Sequence, residues 1–133
     1  DISDLEQTSV LVFYRGAWCP YCLKQLKDVE KELMSAKPAD VNVYAISVDK
    51  DVVAKKMKDK NKFSFEVVSD PKALSLKAFN IVNKLDDKLV KKYKSSYSID
   101  VEADSGEKHH MVAHPGVFIV KSGKLTFADV HTN

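Results

Sequence analysis

The chain has 133 residues, 44% of them hydrophobic and 30% charged. These values fit one globular domain and exclude a disordered, collagen-like or low-complexity chain. A net charge of +2, from 21 basic and 19 acidic residues, is too small an excess for a nucleic-acid binder, and no apolar run is long enough to span a membrane.

Val10–Tyr14 is a continuous apolar run that predicts a buried central strand ending before Gly16. From Pro20 the period changes: Cys22, Leu26, Val29 and Leu33 recur at helical spacing, predicting a helix to about Ala36, with Pro20 in its first turn and Pro38 as its stop. Val41–Val48 reads as a second strand. Asp49 to about Lys60 reads as a lysine-rich helix with Val52, Val53 and Met57 on its apolar side. A short third strand falls within Phe63–Val68, and Asp70-Pro71 opens a helix running through Leu74 and Phe79. Ile81–Ser96 carries helically spaced apolar residues and predicts a helix, or a turn and a helix. Asp100–His110 is polar and reads as a loop. Val117–Val120 and Leu125–Val130 form a hairpin across Lys121–Lys124. The charge runs Asp49–Lys62 and Asp86–Lys94 read as solvated helix faces. Alternating strands and helices predict a parallel sheet covered on both faces, joined by a final antiparallel pair. The reading is one domain over residues 1–133. The start at Asp1 and the stop soon after Val130 suggest a chain truncated at one or both ends.

The two cysteines, Cys19 and Cys22, close too small a loop to staple such a domain. They lie in Trp18-Cys19-Pro20-Tyr21-Cys22, between a predicted strand and a predicted helix. Unpaired N–H groups and the helix dipole at a helix start favour an anion, so Cys19 is expected to carry a lowered pKa. Cys22 follows one turn later, where the apolar stripe begins, and is expected to be more buried. A nucleophile followed by a resolving thiol suits thiol–disulfide exchange: Cys19 attacks a disulfide and Cys22 attacks the mixed disulfide. Zinc ligation by the cysteines with two of His109, His110, His114 and His131 is disfavoured by the gap of about 90 residues, against finger spacing of about 12–15. Asp86, Asp87, Asp100, Glu102 and Asp104 form no calcium-loop pattern. No metal and no organic cofactor is expected.

The segment Val10–Cys22 resembles the thioredoxin fold, and within it the peroxiredoxin-like branch of the alkyl hydroperoxide reductase/thiol-specific antioxidant family. Ala45–Asp49, Phe65–Pro71 and His114–Val120 continue the likeness along nearly the whole chain. The resemblance implies a thioredoxin-like three-layer α/β/α sandwich with a central mixed sheet. It also implies a cis Pro115 facing the cysteines, with a substrate groove formed by Trp18, Pro20, Tyr21, His114 and Pro115. The family's peroxide pocket is Pro-x3-Thr-x2-Cys. On that spacing Cys22 takes the place of the peroxidatic cysteine, Cys19 that of the threonine and Arg15 that of the proline. The threonine hydroxyl is therefore absent, and Arg15 is the chain's one arginine. It is a candidate to stabilise the thiolate, in competition with a role as a solvated strand-end charge. Cys-Pro-Tyr-Cys is also similar to glutaredoxins, but no Gly-Gly pair follows Pro115.

The reading that results is a thiol–disulfide oxidoreductase. Its electrons are expected from a thioredoxin-like donor, or its substrate is a protein dithiol or disulfide. The alternatives are a thiol-dependent peroxidase acting on hydroperoxides, with either cysteine forming the sulfenic acid, and a non-catalytic redox-sensing module. Cytoplasm and periplasm both stay open, with the cytoplasm favoured.

Overall fold

A computed structural model describes residues 8–34 and 41–131. Strand β1 spans Thr8–Phe13, β2 Val41–Ser47, β3 Glu66–Ser69, β6 Gly116–Lys121 and β7 Lys124–Val130. They form a sheet in the order β3-β2-β1-β6-β7. β1 pairs in parallel with β2, and β2 with β3. β6 pairs antiparallel with β1 and with β7. The sheet is thus mixed, and β1 is its centre.

Side chains alternate across a strand, so β1 feeds two cores. Leu11 and Phe13 enter one cluster, with Ile46, Leu76, Val101, Val112 and Phe118. Val12, and Tyr14 just beyond the strand, enter the other, with Cys22, Leu26, Val43, Ala45, Met57 and Phe65. Helices α1 (Pro20–Val29) and α2 (Asp51–Asn61) cover the second face. Helices α3 (Leu74–Ala78), α4 (Asp87–Tyr97) and α5 (Val101–Ser105) cover the first, with a small antiparallel pair of β4 (Val82–Lys84) and β5 (Met111–Ala113). This is the expected three-layer α/β/α sandwich.

Several local expectations change. α1 runs on into a π-helical turn over Glu30–Met34, while the expected stop at Pro38 lies outside the described residues. α2 begins at Asp51 and buries Ala54 and Met57, leaving Val52 73% exposed. The stretch read as a loop after Asp100 contains α5. The Asp100 side chain caps it by accepting from the Ala103 N–H at 3.1 Å, and Val101 anchors it in the core. Ile81–Ser96 resolves into β4 followed by α4. Asp86 caps α4 by accepting from the Leu89 N–H at 2.7 Å.

The largest change concerns Pro115. No peptide bond among the described residues is cis, so the expected cis His114–Pro115 bond is trans. An X–Pro bond prefers trans by only about 0.5–1 kcal/mol, which lets its surroundings choose. Here the chain passes extended from β5 to β6. The His114 N–H donates to the Ile81 carbonyl at 2.9 Å, and the Pro115 carbonyl accepts from the His131 N–H at 2.8 Å.

Candidate active site

The site is built where β1 gives way to α1. Gly16 has no room for a side chain: a Cβ there would meet the Trp18 indole and come within 3.1 Å of Asp49 Oδ1. The loop is closed by the Cys19 N–H donating to the Gly16 carbonyl at 3.1 Å. It is tied to the neighbouring strand by the Ala17 N–H, which donates to Asp49 Oδ2 at 2.8 Å.

Cys19 is the N-cap of α1. Its backbone is extended, at φ −93° and ψ 108°, and its Sγ accepts from the Cys22 N–H at 3.4 Å. Pro20 occupies the first helical turn, where an N–H would have had no partner. The sulfur thus sits where orphan amides and the helix dipole favour negative charge. Donation from the Cys22 thiol is the largest influence on Cys19. Together with the Cys22 N–H and the Arg15 charge it outweighs burial and lowers the Cys19 pKa to about 6. Cys22 moves the opposite way. Its commitment to Cys19 and its burial push it far above the ordinary thiol range, although Sγ also accepts from the Arg15 N–H at 3.5 Å. Cys19 is 5% exposed and Cys22 is fully buried. Both thiols are thus buried, one held ionisable at the helix start and the other held neutral one turn on.

Around this pair the expected residues fall into two groups. Pro20 is exposed and Tyr21 is 65% exposed, forming the rim. Trp18 is half-buried and packs on Tyr93 of α4, ring centroids 5.5 Å apart. Arg15 and Trp18 line a cleft of about 360 Å³ with Asn83, Lys84, Leu89, Tyr93 and Val112. His114 and Pro115 form the β5–β6 junction. Because Phe13 pairs with Gly116, that junction stands level with the end of β1 that leads to Arg15. Pro115 is buried and His114 half-buried. The remaining histidines disperse: His109 Nε2 lies 2.6 Å from the Pro71 carbonyl, His110 Nε2 2.6 Å from Glu102 Oε2, and His131 Nε2 3.5 Å from Asp129 Oδ2. Among the described residues no three His, Cys, Asp or Glu side chains gather as metal ligands would.

The AhpC/TSA family pattern matches residues 1–128. The chain belongs to the AhpC/TSA family. Its members are thiol-dependent oxidoreductases, and the solved structures it resembles share its fold. Against Enterococcus faecalis AhpC the TM-score is 0.68 at 20% identity, covering 96% of this chain and 66% of that one. A mutant of Xylella fastidiosa PrxQ gives 0.72 at 19% identity, covering 99% and 72%. The bacterioferritin comigratory protein of Xanthomonas campestris, described for alkyl peroxide reduction, gives 0.71 at 16% identity, covering 96% and 69%. This chain thus spans about two thirds to three quarters of their lengths. No curated protein matches the sequence.

Two residues of this AhpC/TSA domain went unassigned in the sequence. Asp49, read as the start of a solvated helix face, is 1% exposed, and its carboxylate reaches back to the Cys19 loop. Tyr14, read as a strand residue, is fully buried with its hydroxyl on the Cys22 side of the sheet. The available signal was position: Asp49 directly follows a buried parallel strand, and sites in open α/β sheets gather at the carboxyl ends of such strands.

Proposed function

We propose that this domain is a thiol–disulfide oxidoreductase in which Cys19 attacks and Cys22 resolves. The observation that carries the reading is the unequal pair: an N-cap sulfur ionising near pH 6 beside a buried neutral thiol. The Cys19 thiolate displaces one thiolate from a substrate disulfide and forms a mixed disulfide. Cys22 then loses its proton and attacks the Cys19 sulfur. The second substrate thiolate leaves, and two electrons have passed to the substrate as the Cys19–Cys22 bond forms. A thioredoxin-like donor regenerates the dithiol by the reverse sequence. Exposed Tyr21 and Pro20, with the half-buried Trp18, offer a partly apolar rim for a protein substrate, and Arg15 supplies positive charge beside the thiolate. His114 and Pro115 are assigned to the far wall of the groove, on their position level with the end of β1.

The test is reduction of protein disulfides in insulin with dithiothreitol as electron source. The native protein should accelerate precipitation and Cys19→Ser should not. Equal rates for the two would remove the proposal.

Peroxidase chemistry is the second reading, favoured by family membership and by the similarity to a protein described for alkyl peroxide reduction. Burial and the raised pKa of Cys22 argue that a sulfenic acid would form on Cys19, with Cys22 condensing to the disulfide and releasing water. Stopped-flow oxidation by hydrogen peroxide separates the readings: a rate no faster than that of a free thiol excludes the peroxidase.

A further inference from the structure

The outer side of α4 carries charge that the fold does not use. Leu89, Val90 and Tyr93 turn inward onto the first core. Lys88 and Lys92, four residues apart, stand exposed on the opposite side, where like charges at that spacing disfavour a helix. Lys84, exposed at the end of β4, lies just ahead of them. Among the described residues no carboxylate comes within ion-pair distance of Lys84, Lys88 or Lys92.

The carboxylates nearby are engaged elsewhere. Asp86 caps α4 on the Leu89 N–H, Asp87 Oδ1 lies 3.4 Å from His110 Nδ1, and Glu102 Oε2 lies 2.6 Å from the other nitrogen of that ring. Asp100 lies 3.7 Å from Lys94. Lys91 and Lys94 border a cavity shared with Asp87, Asp100 and Glu102, so their charge is met locally. That of Lys84, Lys88 and Lys92 is not.

This positive stripe leads into the site. Lys84 lines the Trp18 cleft together with Arg15, and Arg15 lies within electrostatic reach of Cys19. Against these two cations the described lining sets Asp86, which already accepts from the Leu89 N–H. Tyr93 joins α4 to the Cys19 loop through its ring contact with Trp18. Tyr97, 60% exposed, extends that contact along the helix, its ring 6.3 Å from Tyr93.

The geometry points to α4 and this cleft as the docking face for an acidic polypeptide, whose carboxylates meet Lys84, Lys88, Lys92 and Arg15 while its disulfide meets Cys19. The inference rests on the proposed exchange at Cys19 and names its partner class. Chemistry at Cys19 calls for a sulfur-bearing partner, which favours a polypeptide over a nucleic acid or a membrane. Complementary charge acts chiefly on the rate of encounter, and its reach shortens as salt rises. α2 supplies the contrast. It is lysine-rich too, but Lys55, Lys56 and Lys60 share a shallow patch with Val52 and Asp59, and no residue of that patch lines the Trp18 cleft.

The test compares two synthetic peptide disulfides of equal length, one with glutamates beside its cysteines and one with glutamines there. Released peptide thiol is measured by chromatography after mixing with the reduced protein. A thiolate by itself repels the glutamate peptide, so a preference for it has to come from the surroundings. At about 0.01 M salt, where the Debye length is about 30 Å, the glutamate peptide should react about 10-fold faster, the lower end of what a focused field supplies. At about 1 M salt, with a Debye length of about 3 Å, the preference should vanish. The double variant Lys88→Glu with Lys92→Glu should lose the preference at low salt, while the glutamine peptide reports that its Cys19 site is intact. Lys55→Glu with Lys56→Glu on α2 changes the net charge equally and should keep the preference. Equal loss in both double variants assigns the effect to net charge and overturns the inference. So does a native protein that reacts alike with the two peptides, whether or not Lys88 and Lys92 bind an oligonucleotide or an anionic vesicle instead.

A glutamate peptide with serine in place of cysteine separates this inference from the reading beneath it. Its binding at low salt, lost in Lys88→Glu with Lys92→Glu, supports the docking face even where neither peptide disulfide is reduced, an outcome that refutes the exchange reading alone. Reduction of both peptides at one rate refutes the docking face alone.

Discussion

Replacement of Cys22 by Ala removes the thiol that does most to lower the Cys19 pKa. In the native protein a pKa of about 6 against an ordinary 9.0 leaves about half of Cys19 as thiolate at pH 6, about 500-fold more than an unperturbed thiol. Nucleophilicity falls as the pKa falls, by about 16- to 32-fold over that range for a Brønsted coefficient of 0.4–0.5. Cys19 should therefore react with an aromatic disulfide at pH 6 about 20-fold faster than a free thiol. Cys22→Ala keeps the backbone N–H at position 22 and the Arg15 charge, but burial now opposes a weaker set of donors. Its pKa should rise by one unit or more, leaving about a tenth of Cys19 ionised at pH 6. The ultraviolet absorbance of the thiolate, followed against pH, measures this without the compensating change in nucleophilicity. Cys22→Ser, which retains a hydroxyl donor, should titrate between the two. A Cys22→Ala titration still centred near pH 6 would refute the assignment of the low pKa to the Cys22 thiol.

Asp49→Asn should alter stability in a pH-dependent way. The folded carboxyl titrates near 7 and the unfolded one near 3.8, so between those values the folded state holds the extra proton and stability falls as pH rises. The stability tied to this proton is whole below about pH 4 and gone above about pH 7; the variant should exceed the native protein by up to about 4 kcal/mol at pH 8 and by nothing at pH 4. Urea unfolding at both values reads this, and an equal gap at the two would contradict it. Gly16→Ala forces a Cβ against the Trp18 indole and should cost about 1–3 kcal/mol, as overpacking does. Because Trp18 is the only tryptophan, its fluorescence should shift with the loss; an unchanged spectrum and midpoint would show that the loop yields freely. Asp86→Ala removes the cap of α4 and should cost about 1 kcal/mol by thermal unfolding, while Asp86→Asn should recover most of it.

How much of this was legible in the sequence depends on the range of the signal. β1, α1, β2 and the β6–β7 hairpin are written in local periodicity, and the cysteines at a strand-to-helix change declare their own environment. α5 is not written that way. Five residues, three of them Glu, Asp or Ser, look like loop until Val101 is seen inside the core and Asp100 over the first turn. The β4–β5 pair is equally silent, because three-residue strands draw their pairing from partners about 30 positions away. Pro115 shows the limit of resemblance: the motif is present, but the bond geometry is set by what surrounds it, and here the chain enters β6 with a trans bond.

Asp49 is the residue on which these ranges meet. Its identity and neighbours in sequence, Val48 before it and Lys50 after it, fit the start of a solvated helix. Only the parallel register of β2 on β1, with Phe13 opposite Ile46, carries the end of β2 up beside the loop that leads to Cys19. That register follows from burying both faces of β1, since a slip by one residue would exchange its two cores. The same constraint that makes β1 apolar on both faces puts the Tyr14 side chain on the Cys22 side of the sheet. It also leaves beside the Cys19 loop a carboxylate that has no cation among the described residues. A polar group retained in such a place is difficult to explain by packing alone, because an apolar residue of similar volume would be more stable there. The predicted gain in stability of Asp49→Asn at high pH is the consequence of this arrangement. An Asp49→Asn variant no more stable than the native protein at pH 8 would show that the bond from the Ala17 N–H offsets the burial of this carboxylate.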